Sequence, residues 1–174
     1  MKKNSWQLPV LALMIMLVRV NSVSAYLTGS DTALNRTRAV GVMLHISEEY
    51  EPPDQLQPGI SFRKRPAAVN DSSIPVYVRA RVLFSSSNAE MLCQPLVIGQ
   101  GWRYDGGLYY YETPLAPSSS TQPLFTEVEI RQDVSREMID AGLPFEIYVY
   151  AECVPAGDQT CMEAFEEAER GKES

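Results

Sequence analysis

The chain has 174 residues, of which 45% are hydrophobic and 21% charged, and it carries a formal charge of −7, the make-up of one folded domain rather than a disordered segment. Beyond residue 25 there are 12 basic side chains against 22 acidic ones, or −10, which disfavours nucleic acid as a partner and unaided docking on anionic lipid. A single histidine removes most metal sites and most Ser/His or Cys/His catalysis, so no catalytic residue, metal ligand set or cofactor is expected.

Residues 1–25 read as an export signal. Lys2 and Lys3 supply the positive start, and Leu8 to Val18 forms an apolar run of 11 residues, too short for a bilayer span of about 20 residues. Val23-Ser24-Ala25 fits a signal-peptidase site with cleavage before Tyr26. Contact with the membrane is then transient, through the signal alone. The competing reading is an uncleaved anchor. Residues 26–36 form a polar, weakly patterned N-terminal segment, and residues 37–174 form one domain.

Within that domain, Arg38 to Ser47 alternates with period two and predicts a strand, with Leu44 and Ile46 on one face and Met43 and His45 on the other. Glu48 to Gly59, which is acidic and proline-rich, predicts a loop. Ile60 to Val69 predicts a second strand, with Pro66 placing it at an edge or a bulge. Ile74 to Phe84 is the clearest strand, with Tyr77, Arg79 and Arg81 on its solvated face. No assignment follows for Ser85 to Gly101. Trp102 to Glu112, centred on Asp105-Gly106-Gly107, predicts a hairpin. Thr113 to Gln122 predicts a loop, Leu124 to Arg131 a strand, Asp133 to Ala141 a short helix, and Phe145 to Cys153 the last strand. Thr160-x-x-Glu163 is a capping box that opens a C-terminal helix running to about Arg170. Together these predict an all-β, antiparallel β-sandwich of jelly-roll or immunoglobulin-like type with short helices.

Cys153 and Cys161 flank a Pro- and Gly-containing loop that a disulfide between them would close; the alternative is that these two and Cys93 are unpaired thiols. The exposed-aromatic candidates are Trp102, Tyr109, Tyr110 and Tyr111, which stack on sugar rings if surface-facing and on each other if packed. Glu48-Glu49-x-Glu51-x-x-Asp54 lacks the spacing of a defined calcium loop and reads as a solvated acidic turn. Arg63-Lys64-Arg65 reads as a solvated basic face, and Asn35 and Asn70 begin glycosylation sequons.

Several segments resemble the TasA/camelysin-like family, exported through the SipW-type signal peptidase. Ala25-Tyr-Leu-Thr-Gly-Ser-Asp-Thr-Ala-Leu-Asn35 is similar to the family's stretch across the cleavage point, with Gly29 where Asp is commoner. Gly41-Val42, Leu56-Gln-Pro-Gly59, Pro75-Val-Tyr-Val-Arg79, Gly101-Trp102, Tyr109-Tyr-Tyr111, Pro114-Leu115, Pro123-Leu-Phe125 and Phe145-Glu-Ile-Tyr-Val-Tyr-Ala-Glu152 follow in the family's order. Cys153-Val-Pro stands where V-Q-A is usual.

The resemblance implies a bacterial cell-surface or extracellular-matrix protein whose partners are the SipW-type peptidase, further copies of itself and envelope or matrix proteins. It also implies assembly into biofilm fibres by donation of the free N-terminal strand to the next subunit. Tyr26, Leu27 and Leu34 are the apolar anchors of that donor. Camelysin-like relatives are classed as metallopeptidases, which sets the alternative function. His45-Ile-Ser-Glu48-Glu49 is its only histidine-bearing segment, and it lacks the second histidine of HExxH. A glycan-binding module is the third reading.

Overall fold

The computed structural model describes residues 42–171, and these fall in one compact unit. The signal, the cleavage residues Val23, Ala25 and Tyr26, and the donor anchors Leu27 and Leu34 lie outside the described residues.

The described chain is mostly β, with two antiparallel sheets and three short helices. One sheet has three strands: β1 (Leu44–Tyr50), β2 (Ser61–Asn70) and β6 (Glu127–Glu129), in the order β1-β2-β6. The other holds β3 (Val76–Phe84), β4 (Trp102–Asp105), β5 (Leu108–Leu115) and β7 (Ile147–Pro155), in the order β4-β5-β3-β7. Alternate residues of both sheets meet in one apolar core: Leu44, Phe62, Ala68 and Val128 from the first, and Val76, Val78, Leu115 and Ala151 from the second. Period-two patterning of this kind leaves each strand one buried face and one free face.

The predicted strands exist, with shifted ends. β1 runs on through Glu48 and Glu49, where a loop was expected. The reason lies in its register, which sets Glu48 opposite Pro66, Glu49 opposite Arg65 and Tyr50 opposite Lys64. Glu49 accepts from Arg63 (3.3 Å) and Arg65 (2.8 Å), while Glu48 lies 2.7 Å from the buried Lys64 Nζ. The acidic turn and the basic run are therefore one set of cross-strand pairs.

Pro66 does not mark an edge, since β2 is the middle strand of its sheet. β6 pairs only with Ser61, Phe62 and Arg63. Beyond it, the irregular segment 121–126 takes the Pro66 carbonyl (Leu124 N–H, 2.8 Å), so the absent proline N–H is not missed. β5 extends to Leu115, past the predicted loop start. Leu124 to Arg131 shortens to β6, with an isolated bridge from Ile130 to Cys93.

The β4–β5 turn places Gly106 (φ +56°) and Gly107 (φ +87°) both in the left-handed region, the geometry a two-residue hairpin of type I′ needs. α1 (Ser87–Leu92), in the segment left unassigned, is capped by Ser86, whose hydroxyl accepts from Ala89 N–H at 3.1 Å. α2 (Arg136–Ala141) is capped by Ser135. α3 (Cys161–Arg170) opens on the predicted capping box and ends at Gly171. Cys161, Ala164 and Phe165 form its buried stripe, at the i, i+3, i+4 spacing of an amphipathic helix.

Candidate functional site

The two sheets end on four edge strands, and they are not equally open. β6 is covered on its far side, because Gln94 N–H donates to Glu129 O and Arg131 N–H to Leu92 O, both at 2.8 Å. β4 has only four residues. β1 and β7 are longer, and they contact one another without forming a ladder. This leaves a seam in which, among the described residues, each strand has a partner on one side only. β7 pairs with β3 in unbroken register from Ile147↔Phe84 to Pro155↔Val76, so its other edge is straight as well as long. Ile46 of β1 and Val149 of β7 are half-buried against the core, apolar positions on the two strands that border the seam. One end is closed by rings: Phe62 lies 6.2 Å from both Tyr50 and Phe145, edge-on to each. Burial, with the charges of Glu48 and Glu146, raises the Tyr50 hydroxyl above its ordinary pKa. A paired strand with a free edge carries unmet N–H and C=O groups that another extended chain can satisfy.

Cys153 and Cys161 do not form the expected disulfide. Cys153 stands opposite Val78 and faces the core between the sheets. Cys161 lies on the other face of the same sheet with Tyr77 and Phe165, its thiol donating to Val78 O at 3.8 Å. Short sequence spacing suggested a closed loop, but the strand's two faces separate the sulfurs. All three cysteines are buried free thiols. Burial, followed by the nearby carboxylate of Glu90 or Glu152, pushes Cys93 up to about 12 and Cys153 up to about 11. Burial also outweighs the Val78 hydrogen bond and takes Cys161 to about 11.

The aromatic candidates are spread over both faces of the sheet and serve packing. Trp102 and Tyr111 are cross-strand partners with centroids 5.1 Å apart, half-buried against the core. The Trp102 indole N–H donates to Gln122 O at 2.8 Å, and the Tyr111 hydroxyl accepts from Gln122 N–H at 3.4 Å, which pins the preceding loop. Tyr109 packs beside Tyr104 on the same face. Tyr110 points the other way, under α3, edge-on to Phe165 at 6.0 Å.

His45 Nδ1 lies 2.6 Å from Asp71 Oδ2, which ties the start of β1 to the turn after β2. Among the described residues, no three His, Cys, Asp or Glu side chains are grouped to hold a metal ion. Asn70 is fully buried. Its amide donates to Ile74 O and Leu115 O, both at 2.9 Å, and accepts from Ser72 N–H at 2.8 Å, so this sequon is not open to a glycan.

One group was not visible from the sequence. Arg79, expected on a solvated face, is 7% exposed beneath α3. Its guanidinium sits 4.4 Å from the Phe165 ring centroid, with Nη1 on Glu169 (2.6 Å) and Nη2 on Glu152 (3.1 Å). Burial opposes its charge, but the Glu169 hydrogen bond and the charges of Glu152 and Glu169 hold its pKa above the ordinary value. The available signal was the apolar stripe of α3, which has to cover part of some sheet face.

No family model, curated protein or solved structure matches the chain. No helix among the described residues is long and apolar enough to cross a membrane.

Proposed function

We propose that this chain is an exported structural protein of the bacterial cell surface or extracellular matrix, of the TasA/camelysin-like kind, which assembles with copies of itself by strand addition. In this reading the two sheets form a sandwich of jelly-roll or immunoglobulin-like type. The SipW-type peptidase removes residues 1–25, and residues 26–36 enter a neighbouring subunit with Tyr26, Leu27 and Leu34 as anchors. The observation that carries the proposal is the β1–β7 seam, the one place where two long strands meet without a ladder among the described residues. A strand that parts β1 from β7 gains backbone hydrogen bonds along the free edge of β7 and places alternate side chains toward the half-buried Ile46 and Val149. A donor of eleven residues reaches about 36 Å, more than the nine residues of β7 require. Head-to-tail contacts of this type do not close, and so they build filaments.

The test is deletion of residues 26–36 from the processed protein. The expected product is a folded monomer that no longer pellets as assemblies, while a synthetic 26–36 peptide binds it. Unfolding of the deleted protein would make the segment an internal strand and remove the basis of the proposal. Zinc-dependent proteolysis by the purified protein, lost in His45→Ala, would favour the metallopeptidase reading instead.

A further inference from the structure

The outer face of the four-stranded sheet is only partly covered. α3 packs over Tyr77, Tyr110 and Val154, whereas Arg81, Leu83, Tyr148 and Tyr150 of the same face are exposed. The β3–β7 register sets Leu83 opposite Tyr148 and Arg81 opposite Tyr150, so two half-exposed rings stand beside one guanidinium. Arg79, Arg81, Leu83, Leu108, Tyr150 and Glu152 line a shallow cavity of about 390 Å³ at this place.

Two observations there point to a ligand. Among the described residues Arg81 has no ion pair or hydrogen bond, although Arg63, Lys64, Arg65, Arg79, Arg131 and Arg136 are all paired with carboxylates. Arg79, with a side chain only 9% exposed, spends both terminal nitrogens on Glu169 and Glu152, and its buried Nε–H finds no acceptor at hydrogen-bond geometry among the described residues, with the Tyr110 hydroxyl the polar group nearby. Buried donors are nearly always satisfied, and an exception in a cavity wall marks a place where a ligand oxygen or a bridging water fits.

We propose that this cavity binds an acidic glycan, a saccharide chain bearing carboxylates of the uronate type. The Arg81 fork accommodates one carboxylate through two parallel N–H donors. The Tyr150 ring offers an apolar face to the C–H side of a sugar. Glu152 uses Oε1 on Arg79, and its second oxygen accepts from a sugar hydroxyl. A free carboxylate oxygen on Glu152 favours a ligand that brings hydroxyl donors at every unit, as a saccharide does. The cavity uses the outer face of β3 and β7, whereas strand addition uses the free backbone edge of β7.

Passage of the purified protein over columns of immobilised polygalacturonate, dextran or polyglutamate tests the proposal. The chain carries −7, so general charge attraction does not retain it on a polyanion. Polygalacturonate is expected to retard the protein, and the other two polymers are not. Arg81→Glu should weaken retention by about tenfold or more, since it replaces a charge-assisted pair by repulsion. Tyr150→Ala should weaken it less, and Arg81→Lys should restore part of it. Both positions are exposed, so unchanged thermal unfolding of the variants verifies their fold. Absence of retardation, equal retardation by dextran or polyglutamate, or retention indifferent to both Arg81→Glu and Tyr150→Ala would overturn the proposal.

Discussion

Asn70 ties the turn that follows it to the end of β5 with one amide. Its side chain satisfies Ile74 O, Leu115 O and Ser72 N–H, while its backbone meets Ser119 O and Ser118 N–H. Asn70→Ala leaves buried groups unmet at about 1–3 kcal/mol each, so chemical denaturation should show a loss of about 3 kcal/mol or more. The sequence displayed this residue only as the start of a sequon, because a buried polar hub depends on partners as distant as Leu115. The cysteines make a second case at this scale. All three thiols should resist a disulfide-exchange reagent in the native protein and react together on unfolding, as judged by mass after alkylation. Their pKa values are raised by folding to about 12, 11 and 11 from an ordinary value of 9.0. The folded state thus keeps protons that the unfolded state loses, and stability is fully present below pH 9 and falls as pH rises toward 11–12. Thermal unfolding across that window should show a declining midpoint, and the decline should shrink in a variant with Cys93 and Cys153 replaced by alanine.

At the scale of elements, periodicity and punctuation carried most of the information. The β3 alternation, the Gly106-Gly107 turn and the Thr160/Glu163 capping box each act over a few residues, and each appears where the local pattern puts it. What was not legible depends on the neighbour. Glu48 and Glu49 read as loop until β2 supplies Lys64 and Arg65. Pro66 reads as an edge until the irregular 121–126 segment turns out to need only its carbonyl. Arg79 reads as solvated until α3 arrives over it. The helix itself is held by the Phe165 ring against Tyr110 and Arg79, and by the Tyr77 hydroxyl donating to Gln159 O at 2.6 Å. Phe165→Ala should therefore cost about 3–5 kcal/mol, whereas Thr160→Ala, which removes only the cap, should cost about 1 kcal/mol. Amide exchange should show α3 opening before the sheet in both variants, and equal opening of the two would mean that the helix and the sheet are one cooperative unit.

At the scale of the whole molecule, two sheets enclose one core, and their four edges are treated differently. The 92–94 segment covers β6, shortness limits β4, and β1 and β7 lie against one another without a ladder. Edge strands left in this state invite pairing with another chain. The sequence indicated the strands and a candidate donor, but the seam itself emerges only when strands far apart in the chain are brought to one side of the molecule. The proposed donor, residues 26–36, and the proposed acceptor, β7, lie far apart in the sequence. Electron microscopy of the purified protein beginning at Tyr26, at high concentration and across pH, is the most direct measurement of this account. Unbranched filaments with a subunit repeat are the predicted result, and uniformly monodisperse particles under every condition would contradict it.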